Sequence, residues 1–84
     1  MVVEDRLTLR ILSYLADRYR PVTSELVDLA EIASVLGAPM PDIELRCRHL
    51  VEQTLVEIAL PDAENENAAA VITVKGLLAI GRVP

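Results

Sequence analysis

The fold is decided by the 25 residues Ile32-Ala33-Ser34-Val35-Leu36-Gly37-Ala38-Pro39-Met40-Pro41-Asp42-Ile43-Glu44-Leu45-Arg46-Cys47-Arg48-His49-Leu50-Val51-Glu52-Gln53-Thr54-Leu55-Val56. Before them, Leu26, Leu29, Ile32, Ala33 and Leu36 fall at helical spacing. Gly37 stops that stripe, because glycine takes positive φ without a steric cost. Ala38 to Asp42 reads as a turn: Pro41 disfavours α conformation at Met40 and suits the first turn of a new helix. Ile43, Cys47 and Leu50 then share one face of a helix from about Pro41 to Gln53. Those three turn inward together, which leaves Glu44, Leu45 and Arg48 facing out.

Upstream, an amphipathic helix is predicted from about Glu4 to Tyr19, carrying Leu7, Ile11, Tyr14 and Leu15, with Leu9, Leu12 and Ala16 widening its apolar face. Pro21 ends it, and Arg18 and Arg20 suit its carboxyl end. Thr23-Ser24 offers a cap for the second helix, with Glu25 and Asp28 in its first turn. Downstream the period changes. Leu55 to Leu60 and Ala70 to Ile72 read as two strands of a hairpin across the polar loop Pro61 to Asn67. Thr73 can cap a short last helix through Val74, Leu77, Leu78 and Ile80, closed by Gly81.

The register from Ile32 to Val56 resembles that of winged helix-turn-helix domains, without gaps. The resemblance implies that Ala33 is small because two helices cross there, that Gly37 makes the turn between them, and that Leu55-Val56 start the wing. Ile72-Thr73-Val74-Lys75-Gly76 likewise resembles the strand-Thr-x-x-Gly approach to the final helix of bacterial and archaeal winged-helix regulators. The expectation is a mainly α domain with a small β-hairpin, order α-α-α-β-β-α, spanning residues 1–84. Thr54 departs from the pattern, standing where the family often has glycine. A β-branched residue is poor at positive φ, so the turn is expected to differ there.

If the resemblance holds, Pro39, Met40, Pro41, Asp42, Glu44, Leu45 and Arg48 are the exposed positions of a recognition helix, with Arg46 and His49 flanking them. Base reading normally uses Arg, Lys, Asn or Gln, and this set has one Arg, two carboxylates and two apolar side chains. The hairpin carries Asp62, Glu64 and Glu66, with no Lys or Arg between Arg48 and Lys75. Asp42 competes with any phosphate for the amino-terminal partial charge of its helix. Two readings therefore stand side by side. In one, duplex DNA is bound by a transcription regulator, with Arg6, Arg10, Arg46 and Arg48 on phosphates and Arg48 best placed to read a base. In the other, a protein partner docks on Met40, Leu45 and Val51 ringed by Glu44 and Arg48, as apolar patches with charged rims do.

Composition narrows the remaining classes. The net charge of −5 repels polyphosphate and membrane surfaces over roughly 8 Å at physiological salt. Cys47 is the only cysteine, so it forms no intrachain disulfide, and a free thiol fits a reducing compartment. Cys47 and His49 alone cannot complete a zinc site. Two apart on a helix, they also diverge by about 200°, which excludes a nucleophile–base pair. No glycine-rich phosphate loop is present. The chain reads as a non-enzyme without cofactor or metal. No apolar run is long enough to span a bilayer, and the amino terminus lacks a signal-peptide pattern, so a cytoplasmic protein is expected. The wide apolar face of the first helix reads first as wrapped on two sides within the domain; the alternative, from excess apolar surface on the terminal helices, is a homodimer seam using Leu9, Leu12, Leu77 and Ile80, with Ala16 and Val74 beside them.

Overall fold

The computed structural model describes residues 5–21, 25–62 and 67–83. In chain order these form α1 (Arg6–Asp17), β1 (Val27–Asp28), α2 (Leu29–Leu36), α3 (Met40–Glu52), β2 (Val56–Ala59), β3 (Ala69–Ile72) and α4 (Val74–Ala79). The strands make one antiparallel sheet in the order β1-β3-β2. The expected hairpin is β2–β3, with Val56 opposite Ile72 and Ala59 opposite Ala69. The two-residue β1 is an addition to the expected order. It pairs Val27 with Ala70 and Asp28 with Ala69, across more than 40 residues of chain.

That added strand moves the start of α2. The helix begins at Leu29, and the Asp28 carboxylate caps it by accepting from the Ala30 N–H at 2.8 Å. The proposed caps Thr23 and Ser24 lie outside the described residues. Leu26, expected on the helical stripe, instead precedes β1 and is exposed. At the other end Gly37 has φ 65°, and the Ala38 N–H returns to the Ala33 carbonyl at 3.0 Å, closing the helix in a left-handed turn.

Thr54 overturns the expectation of a different turn. It takes φ 61°, as the glycine would, and the Leu55 N–H reaches back to the Leu50 carbonyl at 3.0 Å. A set of side-chain bonds surrounds the crowded residue. The Thr54 hydroxyl donates to the Gln53 carbonyl at 2.6 Å. The Lys75 ammonium donates to both the Thr54 hydroxyl and the Gln53 carbonyl, and the Thr73 hydroxyl donates to the Thr54 carbonyl at 2.8 Å.

The core explains the sequence pattern. Ile11, Leu12 and Leu15 of α1, Leu29 and Ile32 of α2, Ile43, Cys47 and Leu50 of α3, and Leu55, Val56, Ala70 and Ile72 of the hairpin are all buried. Leu77 of α4 closes one side. Gly76 lets α4 lie against the hairpin: a Cβ there would stand 2.2 Å from the Leu55 carbonyl oxygen. Two residues of the proposed dimer seam are corrected by this arrangement. Leu12 is 0% exposed and Leu77 is 3% exposed, so both face the interior of their own domain. The wide apolar face of α1 is wrapped by its neighbours, as its first reading expects; Leu9 remains exposed and Ile80 half-buried.

Candidate functional site

Burial of Ile43, Cys47 and Leu50 fixes what α3 offers to solvent. Pro41, Asp42, Glu44, Leu45, Arg48 and His49 are exposed, while Met40 and Arg46 are half-buried. The helix starts through Pro39 and Pro41 without a side-chain cap, and Asp42 occupies its first turn. Leu45 and Val51 are among the exposed large apolar residues of the chain. Cys47 and His49 point in opposite senses, one fully buried and one exposed. Burial pushes the Cys47 thiol up to about 11, which keeps it protonated and unreactive.

The arginines are not equivalent. The Arg46 Nε donates to the Asp5 carboxylate at 2.8 Å, joining α3 to the amino-terminal cap of α1. Partial burial opposes the Asp5 charge, but the Leu7 N–H and the Arg46 guanidinium outweigh it and hold the carboxyl below its usual range. Arg46 is thus occupied inside the domain. Arg10 makes a long 3.4 Å contact to the Leu36 carbonyl. Arg48 is exposed and makes no hydrogen bond or ion pair to a described residue.

Between α3 and the hairpin runs an open groove of about 640 Å³. Leu29, Ile58 and Ala68 form its floor, Met40 and Val51 line the helix side, and Leu60 stands on the strand side. Glu44 and Arg48 mark its rim. Leu60, at the end of β2, is 77% exposed. The sequence pattern found the helix side of this groove but missed the floor and Leu60. The only local signal was the pair Leu60-Pro61, an apolar side chain held outside a strand that proline terminates.

The charge is unevenly distributed along the chain. Residues 40–72 hold seven carboxylates (Asp42, Glu44, Glu52, Glu57, Asp62, Glu64 and Glu66) against Arg46 and Arg48, a balance of −5. Everything outside that stretch holds six acidic and six basic residues. The entire net charge therefore falls, along the sequence, within residues 40–72. Elsewhere, opposite charges pair: Arg18 bridges Glu25 and Glu31, and Arg82 meets Asp17 at 2.7 Å.

Among the described residues no helix is long and apolar enough to cross a membrane. No protein-family model and no curated protein matches the sequence. Solved structures do match in three dimensions. A single-substitution variant of MepR from S. aureus, bound to an oligodeoxyribonucleotide, superposes with a TM-score of 0.72 at 18% identity, over 89% of this chain and 51% of that one. A variant of ZitR from Lactococcus lactis gives 0.68 at 21% identity, over 94% and 47%. A MarR-family transcriptional regulator from Silicibacter pomeroyi gives 0.67 at 22%, over 89% and 48%. This chain spans about half the length of each. Element order, sheet topology and these superpositions agree: the chain has the winged helix-turn-helix fold.

Proposed function

We propose that this chain is a regulator-type winged-helix module that works by contact alone, and that α3 and the hairpin receive a protein partner. The observation that carries this reading is the charge of the stretch of chain that forms α3 and the two hairpin strands. Every unit of the net −5 lies between residues 40 and 72, and of the two arginines there, Arg46 is already paired with Asp5. A surface that docks on DNA gains affinity by releasing counterions as Lys and Arg neutralise phosphates, and carboxylates at the same place act against it. Exposed Leu45, Val51 and Leu60 among charged neighbours fit a protein contact instead.

A second reading, duplex DNA entered by α3, is favoured by one neighbour bound to an oligonucleotide and by Arg48, exposed and unpaired among the described residues. Fold analogy is its main support. One titration separates the two. With mixed-sequence duplex DNA at about 50 mM salt and high micromolar protein, we expect no amide shifts on α3. Nonspecific binding by a DNA module is typically 10⁻⁴ to 10⁻⁶ M even at physiological salt, so a dissociation constant in or below that range reverses the order of the readings. In that event Arg48→Ala weakens the binding. The protein reading expects Leu45→Asp to abolish recovery of a partner while the far-ultraviolet spectrum stays unchanged.

A further inference from the structure

We infer that the groove between α3 and the hairpin is the docking site for a short cationic, amphipathic segment of a partner protein. This deepens the protein-contact reading and rests on it. The groove offers two things together. Its lining is mainly apolar, from Leu29, Ile58 and Ala68 to Met40, Val51 and Leu60, with Asn67 beside them, and its volume of about 640 Å³ accepts several branched side chains. Its surroundings are acidic. Glu44, Arg48 and Glu52 follow one another at i+4 spacing, so they share one row of α3 on the side of the groove that Glu44 and Arg48 mark. Among the described residues Arg48 is the one cation lining the groove.

Charge complementarity selects the occupant. Potentials across an interface match in sign, and like charges brought together are penalised. A segment with leucine-type side chains on one face fills the groove, and lysines or arginines at its edge along α3 meet Glu44 and Glu52. An acidic amphipathic segment meets the same carboxylates and is repelled. A neutral apolar segment leaves the acidic rim without a counterpart.

The probe is a synthetic 15-residue leucine–lysine peptide with leucines at i, i+3, i+4 and i+7. Controls are a peptide of the same composition with the leucine spacing scrambled, and a leucine–glutamate version. The full chain is titrated and amide shifts followed. The leucine–lysine peptide is expected to shift Met40, Val51, Ile58 and Leu60 and to bind at least tenfold more tightly than either control. Val51→Ser and Leu60→Ser, both at exposed positions, are each expected to weaken it tenfold or more without altering the far-ultraviolet spectrum. Arg48→Gln is expected to leave it unchanged or tighten it, whereas a nucleic-acid surface loses affinity with that change. Equal binding of the scrambled peptide, shifts confined to other elements, or absence of binding overturns the proposal. If the peptide fails while Leu45→Asp still abolishes capture of a specific partner, the cationic groove falls and the protein reading survives. If the peptide fails and duplex DNA binds through Arg48, both fall.

Discussion

Thr54 occupies backbone space that a β-branched side chain enters only at a cost of about 1–3 kcal/mol. Its hydroxyl and carbonyl are held by Gln53, Thr73 and Lys75, and these bonds offset the crowding. Two substitutions divide the terms. Thr54→Gly removes both the strain and the hydroxyl, so its urea midpoint should lie within about 1 kcal/mol of the parent. Thr54→Val keeps the strain and the shape but strips two hydroxyl hydrogen bonds, and should cost about 1–2 kcal/mol. A valine variant as stable as the parent would show that the hydroxyl does not hold the turn. The local sequence reveals that Thr54 is awkward at this place. It does not reveal the remedy, because Thr73 and Lys75 come from 19 and 21 residues away. Arg46 is a second case: its place beside the exposed row of α3 suits it to phosphates or to acceptors at the edge of the core, and Asp5, 41 residues earlier, claims it.

At the level of elements, the helices were legible because each rests on local period and local stops. Ile43, Cys47 and Leu50 recur on one face, and Gly37 ends the helix before them. β1 was illegible for the opposite reason. Two residues carry no period, and only the distant edge of β3 makes Val27–Asp28 a strand. Its presence moves the cap of α2 from the expected Thr23-Ser24 pair to Asp28. The joint between α1 and α2 was also hidden. The Tyr14 hydroxyl donates to Glu31, and Arg18 bridges Glu31 and Glu25. The Tyr14 hydrogen bond foremost, joined by Arg18 and opposed by partial burial, holds the Glu31 carboxyl below its usual value of 4.5. A carboxyl depressed in the folded state contributes stability at pH above its unfolded value, and that contribution is lost as pH falls through the folded one. The parent should therefore lose stability as pH drops from about 5 towards 3, and Glu31→Gln should lose less over the same interval. Urea midpoints at several pH values measure both slopes, and identical slopes would remove Glu31 from the clamp.

For the whole molecule, shape and charge point to different occupants, and the conflict can be tested by changing the charge and keeping the shape. The three-dimensional likeness to an oligonucleotide-bound neighbour concerns the backbone; the acidic balance of residues 40–72 belongs to the side chains. Glu44→Lys, Glu52→Lys and Asp62→Lys together, all at exposed positions, carry that stretch from −5 to +1. If charge alone keeps duplex DNA away, the triple variant should bind mixed-sequence duplex with a dissociation constant of about 10⁻⁴ to 10⁻⁶ M where the parent shows none. Each added cation that reaches a phosphate contributes about −0.9 to the slope of log affinity against log salt, so three should give a slope near −3. The same variant should lose the leucine–lysine peptide, because its rim then repels lysine. Gain of DNA with loss of the peptide identifies side-chain charge as the property that assigns this face to a protein. A variant that still ignores DNA shows instead that the α3–hairpin surface lacks the contour a duplex needs, whatever charge it bears.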